Sequence, residues 1–487
     1  MSQILFTNSY FYKFDAKQWN FQQPYPPYGT MYAAAMMREE GYEVAFFDAN
    51  LIDTPQDILP TIEREKPKYL VIYEDGFNYL TKMCLTVMRD AAFELAKIGK
   101  KHNCRVIVSS SDSTDHYQKY LEEGADFVLL GEAELTLKEL IGELEKGQQS
   151  FDHIKALAYL KDGQAIQTIK RPVLRELDSL PNPAWDLVDV APYRTIWENN
   201  RHKGFLTLNI ATTRGCPYKC NWCAKPIYGN RYNTRSPKRV VDEIETLINT
   251  HDVHYFWMCD DIFGLKPKWV QEFRDLVKER NLDFKYKIQS RADLLLKEDN
   301  IEALAQSGLH EVWIGAESGS QRILDLMDKG TTIDQIYEAT RLLKSKDVRV
   351  AFFLQFGFMD ESREEIQQTI DMVTELMPDD IGISVSYPLP GTKFYEMVKE
   401  QMNKENWVDS DDLDMMYSGS FKSDFYKRLH RYVHKTYRKK QGMENLKTAL
   451  TQPNKLDKSQ LRSALATLYY VPTAMLDKYR LDKLEKA

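Results

Sequence analysis

Cysteine is scarce in this chain, and its scarcity limits the kind of protein that the sequence can encode. Only six cysteines occur among 487 residues. Three stand close together, while Cys84, Cys104 and Cys259 are scattered in apolar stretches and are interpreted as buried thiols. This is not a disulfide framework, so we expect a cytoplasmic, reducing environment. No run approaches about 20 apolar residues, and the amino terminus lacks a basic, apolar signal pattern, so we expect neither a membrane span nor secretion.

The composition is that of a folded protein with more than one core. Hydrophobic residues make up 43% of the chain and aromatic residues 12%, which is enough for well-packed interiors. A length of 487 residues corresponds to roughly two to four domains. The formal net charge is −7, and we expect no nucleic-acid partner.

Residues 1–145 alternate between short apolar runs and segments with apolar residues at helical spacing, such as 31–40 and 83–97. This alternation predicts an α/β domain with a doubly wound parallel sheet, which is a Rossmann-like architecture. Ligands in such sheets bind beyond the carboxyl ends of the strands. The predicted strands are Ile4–Phe6, Val44–Phe47, Tyr69–Tyr73, Val106–Ser109 and Phe127–Leu130.

Residues 201–395 repeat the strand-then-helix rhythm six times. Six parallel repeats predict an open, partial (β/α)6 version of the TIM-type barrel, whose chemistry collects at the carboxyl ends of its strands. The predicted strands are Leu206–Thr212, Tyr255–Met258, Lys285–Gln289, Glu311–Ile314, Ala351–Phe356 and Ile381–Tyr387.

Two further segments complete the predicted α/β organisation. In residues 146–200, alternating runs flank Asp162 and Gly163, which is a strong hairpin signal, and Pro181 and Pro183 predict an extended linker. In residues 396–487, apolar residues recur every four positions, which predicts helix. We expect a small helical C-terminal region there that covers the mouth of the barrel.

Three cysteines, Cys216, Cys220 and Cys223, stand at C-x3-C-x2-C spacing after the first strand of the core. Cysteine thiolates are the ligands that iron–sulfur clusters require, and three of them leave one iron of a cubane open. Two alternatives remain open, a zinc site with a histidine as fourth ligand and a redox pair beside a buried thiol. No second C-x2-C or H-x3-H pattern lies nearby in the sequence, which favours the cluster.

This spacing, with an aromatic residue before the third cysteine, resembles the signature of the radical S-adenosylmethionine (SAM) superfamily. The resemblance implies a [4Fe–4S] cluster whose open iron binds SAM. Reductive cleavage of SAM then yields methionine and a deoxyadenosyl radical, which takes hydrogen from an unactivated carbon of a small-molecule substrate. An external one-electron reductant of flavodoxin or ferredoxin type is also implied. By position, the SAM-binding roles fall on Trp222, Arg291, Glu317, Ser318 and Gln355.

Several charged residues of the core also have structural interpretations. Arg291 could form an internal salt bridge to Glu317 or Asp261. Asp260 or Asp261 could cap the following helix. Three cations near the cysteines could simply offset the charge of a thiolate-bound cluster: Arg214, Lys219 and Lys225.

The N-terminal domain resembles the cobalamin-binding domain that precedes many radical SAM cores. The resemblance lies in residues 26–29, 41–48 and 124–134. The D-x-H-x-x-G motif that supplies a histidine to cobalt is absent, and serines replace the usual Gly-Gly after the fourth strand. A domain that binds no corrinoid is the alternative. The resemblance implies cobalamin contacts at Ser109, Ser110, Gly131 and Glu132.

Residues 221–232 are most similar to the subgroup of anaerobic magnesium-protoporphyrin IX monomethyl ester cyclases. The resemblance implies a cobalamin-dependent radical SAM enzyme, for which we expect methyl transfer to carbon first and a ring-forming or oxidative reaction second. A methylthiolating enzyme usually needs a second cysteine cluster in the N-terminal domain, where only Cys84 and Cys104 lie. An electron carrier or a cobalamin-storage protein is the non-enzyme alternative.

Overall fold

The computed structural model describes residues 3–77, 85–200, 204–225, 227–402, 413, 415–451 and 458–485. The chain forms two compact units. The first takes in Met1–Pro217 and Lys225–Ile288, and the second takes in Tyr218–Ala224, Gln289–Glu405 and Asp411–Ala487. The domain boundaries at 145, 200 and 395 stay a prediction. None of the described helices combines the length and apolar character that crossing a bilayer requires.

The amino-terminal part of the first unit is built on one seven-stranded sheet. Its strands are β1 (Ile4–Thr7), β2 (Val44–Phe47), β3 (Tyr69–Tyr73), β4 (Arg105–Ser109), β5 (Phe127–Leu129), β6 (Leu157–Lys161) and β7 (Gln164–Gln167). The order is β2–β1–β3–β4–β5 with all neighbours parallel. The antiparallel hairpin β6–β7 follows β5. All five strands predicted for residues 1–145 are present, and the predicted hairpin extends the same sheet.

Helices cover this sheet because its central strands are apolar on both faces. Leu70 and Ile72 of β3 pack with Val106 and Val108 of β4, and Leu95 closes the same cluster. Met83 and Cys84, at the start of a predicted helical segment, lie outside the described residues. The helices of the first unit are α1 (Ala16–Phe21), α2 (Tyr28–Glu39), α3 (Leu59–Glu65), α4 (Thr86–Lys101), α5 (Ser111–Asp115), α6 (Tyr117–Glu122), α7 (Glu134–Glu145), α8 (Ala191–Asn199), α9 (Pro237–His251) and α10 (Pro267–Glu279).

The rest of the first unit contains the beginning of the predicted barrel. Its strands are β8 (Leu208–Ile210), β9 (Thr213–Arg214), β10 (Asn233–Thr234), β11 (Tyr255–Met258) and β12 (Lys285–Ser290). Strands β8, β11 and β12 are parallel neighbours in that order, and the short β9 and β10 pair antiparallel. Strand β12 begins in the first unit and ends in the second.

The second unit continues the strand–helix alternation with β13 (Leu309–Glu317), β14 (Arg349–Phe356) and β15 (Asp380–Val385), which are parallel neighbours. All six core strands predicted from the sequence are therefore present. The helices are α11 (Ala292–Leu295), α12 (Asn300–Gln306), α13 (Gln321–Leu326), α14 (Ile333–Lys344), α15 (Arg363–Leu376), α16 (Lys393–Val398), α17 (Ser423–Thr451) and α18 (Lys458–Leu484).

Helix α15 shows how local sequence fixes the start of an element in this unit. Ser362 accepts a hydrogen bond from the Glu365 N–H, and the Glu365 carboxylate accepts one from the Ser362 N–H. This reciprocal capping box satisfies two of the backbone donors that a helix start leaves open. The helix therefore begins directly after the turn that follows β14.

The C-terminal region is helical, as predicted, but it is larger than expected. Its helices α17 and α18 are long and pack along each other. Tyr417 donates to the Gly357 carbonyl just beyond β14, and Tyr437 donates to the Pro378 carbonyl just before β15. The Glu361 carboxylate accepts from the Gly357 N–H at 2.6 Å. Burial raises the pKa of Glu361 to about 8.

A buried ion pair connects three separate segments of the first unit. Arg235 donates to the Glu243 carboxylate at 2.6 Å, and both side chains are almost fully buried. The same carboxylate accepts from the Tyr28 hydroxyl at 3.0 Å and from the Trp185 indole N–H at 2.9 Å. The network therefore joins the start of α2, the proline-rich linker and helix α9.

Glu243→Gln should destabilise the protein strongly, because the shape is kept while Arg235 becomes a buried charge without its counter-charge. Breaking a buried pair in this way costs roughly 3–5 kcal/mol, and urea unfolding followed by circular dichroism measures the loss. Glu245→Gln is the matched control on the same helix, since Glu245 pairs with Arg280 nearer the surface, and we expect a change of at most about 1 kcal/mol. Equal losses in the two variants would contradict the assignment.

Glu361→Gln should flatten the pH dependence of stability. The raised pKa means that the folded chain holds a proton that the unfolded chain releases, so stability is lost as pH rises from the ordinary value of 4.5 towards about 8. Each pKa unit corresponds to about 1.4 kcal/mol. Urea unfolding at several pH values should give a smaller slope in Glu361→Gln than in the parent chain. The exposed neighbour Glu364 provides the control Glu364→Gln, and an unchanged slope in Glu361→Gln refutes the prediction.

Candidate functional site

The three cysteines of the motif follow β9, in the loop that leads towards β10. Cys216 is buried and Cys220 and Cys223 are half-buried, and none of the three forms a disulfide. The Cys216 N–H donates to the Gly229 carbonyl at 3.4 Å, and the Cys223 N–H donates to the Cys220 carbonyl at 3.2 Å. Cys216 belongs to the first unit, and the other two belong to the second.

The approach to this loop is fixed by Asp260, which follows β11. Its carboxylate accepts from the Thr212 N–H at 2.7 Å, from the Thr213 N–H at 2.9 Å and from the Thr212 hydroxyl. Burial raises the pKa of Asp260 to about 7, although these hydrogen bonds act in the opposite direction. The sequence suggested a helix cap for Asp260 or Asp261, and for Asp260 the structure gives a different partner, the backbone that leads to the cysteines.

Gly215, directly before Cys216, is a position that only glycine fits. Its φ is +79°, and a Cβ there would lie 2.4 Å from the Arg231 carbonyl oxygen. Both the left-handed backbone and the close approach exclude a side chain. The chain can therefore turn sharply into the cysteine loop at this point.

Arg214 is buried, and its guanidinium forms two ion pairs at the carboxyl edge of the N-terminal sheet. It donates to Glu132 and to Glu134, each at 2.6 Å, with Arg214 only 4% exposed. The guanidinium also stacks over the Tyr228 ring at 5.1 Å. Two carboxylates already balance the charge of Arg214. Its contacts therefore do not indicate that it offsets the charge of a bound cluster, as the sequence suggested. Within the first unit, these bonds hold the residue two positions before Cys216 against the segment that follows β5.

In the second unit, Cys220 lies among basic side chains. Arg291 Nη1 is 3.8 Å from Cys220 Sγ, and the guanidinium lies 3.7 Å above the Tyr218 ring. Arg291 also pairs with Asp293 at 2.8 Å, so its internal partner is neither Glu317 nor Asp261. The contact places a fixed positive charge beside the Cys220 sulfur.

Glu317 forms a buried ion pair with Lys329 at 2.7 Å. Burial lowers the pKa of Lys329, but the charges of Glu317 and of the Cys220 thiolate outweigh burial and raise it above its usual value. Glu317 ends β13 with a φ of +59°, a conformation that a non-glycine residue adopts at an energetic cost. Gly315 leaves room for the pair, because a Cβ there would lie 2.7 Å from both charged groups. Nothing in the sequence pattern marked Lys329, which lies in a loop after α13.

The other predicted SAM-binding residues differ in how far their hydrogen bonds are satisfied. The Ser318 hydroxyl lies 3.2 Å from the Thr369 hydroxyl and accepts from the Ser320 N–H at 3.1 Å. Gln355, 2% exposed at the end of β14, has no hydrogen-bond partner for either amide atom among the described residues, and the Trp222 indole N–H likewise finds none there. Buried polar atoms without partners are uncommon and indicate a missing partner.

The sequence did not point to Ser386, which lies directly after β15. It is fully buried, and its hydroxyl has no hydrogen-bond partner within the described part of the second unit. The available signal in the sequence is a serine at the end of a predicted core strand. That signal gains meaning only in the folded chain, where Gln355 of β14 pairs with Ser384 of β15, two positions before Ser386.

A small pocket lies at the carboxyl edge of the N-terminal sheet, entirely within the first unit. Ser109, Ser110 and Gly131, three of the four residues predicted to contact cobalamin, line it together with Glu74 and Tyr228. The fourth, Glu132, is held by Arg214 and also accepts from the Leu174 N–H at 2.5 Å. No histidine is among the lining residues that the structure describes, which agrees with the missing D-x-H-x-x-G motif.

Across the described residues, no group of three His, Cys, Asp or Glu side chains is placed to hold a metal ion. Joint ligation by Cys216, Cys220 and Cys223 therefore stays a prediction that depends on the chemistry of the donors. The structure does bring two sets of predicted residues together. The first is Cys220 with Arg291, and the second is the three residues that line the pocket of the N-terminal sheet.

Comparison with known proteins places the chain in a family. Residues 210–373 match the family model described as the radical SAM superfamily. An uncharacterized methyltransferase from Pyrococcus horikoshii is 30% identical over 377 residues, which cover 76% of this chain and 78% of that protein. The anaerobic magnesium-protoporphyrin IX monomethyl ester cyclase of Rubrivivax gelatinosus is 28% identical over 387 residues, which cover 78% of this chain and 67% of the cyclase.

A solved structure has the same fold over nearly the whole chain. The cobalamin-dependent SAM radical enzyme OxsB, with aqua-cobalamin bound, superposes with a TM-score of 0.73 at 19% identity, covering 98% of this chain and 72% of OxsB. This similarity confirms the predicted fold class, a doubly wound N-terminal domain followed by a partial barrel. The family predicted from the cysteine spacing is also confirmed: the chain belongs to the radical SAM superfamily and is an enzyme of that superfamily.

Proposed function

We propose that this protein is a cobalamin-dependent radical SAM enzyme that transfers a methyl group to an unactivated carbon of a small molecule. The observation that carries the proposal is the pair of ion pairs made by Arg214. They hold the start of the cysteine loop at the sheet edge where Ser109, Ser110 and Gly131 line a pocket. The first residues of the cysteine loop and the edge proposed to hold a corrinoid are therefore joined within the first unit.

The residues around the cysteines fit a [4Fe–4S] cluster. Cys216, Cys220 and Cys223 would hold it, and their thiolates match what iron requires. Arg291 lies 3.8 Å from the Cys220 sulfur, where its charge would stabilise an anionic cluster. When bound, the cluster supplies the electron that cleaves SAM. The cleavage needs an external one-electron reductant, for which a flavodoxin or ferredoxin is the proposed class.

Gln355 fits a role in holding SAM or the substrate, because both of its amide atoms are buried without a partner in the described residues. Trp222, with its unpartnered indole N–H, stands next to Cys223 and fits the same role. Glu317 and Ser318 already have protein partners. Their proposed contribution is therefore to shape the end of β13 rather than to offer free hydrogen-bonding groups.

The pocket of the N-terminal sheet fits the edge of a corrinoid. Its serine hydroxyls and glycine backbone offer hydrogen bonds at the carboxyl ends of β4 and β5, where parallel sheets bind ligands. A corrinoid would supply methyl-carrying or electron-accepting chemistry, and the protein would supply orientation and exclusion of water. The similarity to a structure that contains aqua-cobalamin supports this assignment.

Methyl transfer is favoured over oxidative cyclisation, because the relative from Pyrococcus horikoshii is named a methyltransferase. The similarity to the magnesium-protoporphyrin cyclase supports ring formation or oxidation as the second candidate. The two differ in what becomes of SAM. Methyl transfer to an unactivated carbon would consume two molecules of SAM: one loses its methyl group and leaves S-adenosylhomocysteine, and the other is cleaved reductively to methionine and, after hydrogen abstraction, 5′-deoxyadenosine. The cyclase-type reaction would consume SAM by the second route alone.

An anaerobic assay with methyl-labelled SAM tests the proposal before the substrate is known. The full chain is reconstituted with iron and sulfide and incubated with a chemical reductant, with or without hydroxocobalamin. Methyl transfer predicts S-adenosylhomocysteine that forms only when the corrinoid is present. Formation of 5′-deoxyadenosine and methionine without S-adenosylhomocysteine favours the cyclase-type reaction. The absence of all these products favours a carrier.

Cys220→Ala should abolish the cluster, because alanine has no atom that can replace the cysteine sulfur as an iron ligand. We expect loss of the broad cluster absorbance at about 400 nm and of 5′-deoxyadenosine formation. Iron analysis and chromatography measure the two effects. Cys104→Ala is the control, since Cys104 is a thiol outside the motif, buried in the core of the N-terminal sheet. Retained turnover in Cys220→Ala would overturn the cluster assignment.

Gln355→Leu should weaken SAM binding without destabilising the chain. Leucine is similar in size, and its introduction removes two buried polar atoms that have no protein partner. Loss of one hydrogen bond to the ligand predicts a Kd roughly two- to tenfold higher, measured by equilibrium dialysis on cluster-loaded protein. The unfolding midpoint should stay the same or rise. Gln367→Leu on α15 is the control, since the Gln367 amide is half-buried and bonds Asp371. An unchanged Kd in Gln355→Leu removes Gln355 from the site.

A further inference from the structure

Glu74 is a buried carboxyl with one oxygen left open inside the pocket of the N-terminal sheet. It follows β3, is 8% exposed and lines the pocket with Ser109, Ser110 and Gly131. One oxygen, Oε1, accepts hydrogen bonds from the Ser9 N–H and hydroxyl. The other, Oε2, has no partner among the described residues. Burial raises the pKa of Glu74 to about 7.

The open oxygen of Glu74 contrasts with the carboxylate of Asp48 at the same edge. Asp48, at the end of β2, accepts from the Asn50 N–H with one oxygen and from the Tyr193 hydroxyl with the other. A buried acceptor without a partner costs the full desolvation of that group. Its presence in a pocket therefore points to a hydrogen-bond donor that comes from a ligand.

The pocket limits what that donor can be. It has room for a small polar group and not for a ring system, because Ile227 and Tyr228 close it opposite Gly76. A corrin ring carries primary amides on short arms around its edge, and each amide N–H is a donor of suitable size. The geometry points to Glu74 Oε2 as the acceptor for one primary amide arm of the corrin edge. This inference rests on the corrinoid proposed above. Glu74 would thus help to orient the ring without touching cobalt.

Glu74→Gln and Glu74→Leu test this assignment with hydroxocobalamin and the full chain. Glutamine keeps an acceptor for Ser9 but loses the charge, and leucine removes both. We expect affinity to fall roughly tenfold or more in the leucine variant, with the visible spectrum of the bound corrinoid unchanged because cobalt is not contacted. Asp48→Asn is the matched control and should bind as the parent chain does. Without corrinoid, Glu74→Gln should unfold at the same temperature as the parent or higher, whereas a structural role would lower it.

Cobalamin monocarboxylates, in which one propionamide arm is hydrolysed to a carboxylate, give a charge-specific test. If the contacted arm is a propionamide, one of the b-, d- and e-monocarboxylates should bind the parent chain at least about tenfold more weakly than cobalamin, because two carboxylates would face each other. Glu74→Gln should remove most of that penalty for the same isomer. A contacted acetamide arm would leave the three isomers equal while Glu74→Leu still weakens cobalamin, which also supports the assignment.

Besides a lowered unfolding temperature in Glu74→Gln, three results overturn the inference, and the first two of them leave the proposed function standing. Unchanged affinity in Glu74→Leu shows that no corrinoid donor uses the open oxygen. A changed spectrum of bound corrinoid in Glu74→Gln places the carboxyl at cobalt rather than at an amide. Both results leave the proposed function standing, because the parent chain still binds the corrinoid. A parent chain that binds no hydroxocobalamin overturns the inference together with the proposed function.

Discussion

A guanidinium buried away from water needs negative charge beside it, and Arg214 meets that need at the edge of the N-terminal sheet. Its two carboxylate partners, Glu132 and Glu134, follow β5, while Arg214 itself stands two residues before Cys216. Removing Arg214 would leave two buried carboxylates without a counter-charge, which is far more costly than losing a surface pair. The start of the cysteine loop is thus fixed to the sheet edge that lines the pocket.

A second arrangement of charge surrounds the later part of the same loop in the other unit. Arg291 lies beside the Cys220 sulfur and stacks on Tyr218, and Lys329 is held nearby by Glu317. Fixed positive charge at this part of the loop favours an anionic metal cluster. Each cation also has a carboxylate of its own, so the positive charge is held in place before any cofactor binds. This preorganisation is what a site that binds a charged group requires.

The strands could be predicted from the sequence because local patterns determine them. The apolar run Tyr69–Tyr73 was predicted with its observed bounds, since a strand buried on both faces needs apolar residues throughout. Side-chain partners are set by folding and have no local signal. Arg214 finds carboxylates 82 and 80 residues away, and Asp260 bonds backbone that precedes it by 48 and 47 residues. Gln355 was predicted at a strand end, but only the folded chain shows that its amide has no partner.

The central claim is that three cysteines hold a cluster with one iron available to SAM. Electron paramagnetic resonance of the reduced, reconstituted protein, recorded with and without SAM, tests it most directly, because coordination at that iron changes the electronic structure of the cluster. The account predicts the signal of a reduced [4Fe–4S] cluster whose g values shift when SAM is added. A spectrum that SAM leaves unchanged, or the absence of a cluster signal after reconstitution, would contradict it.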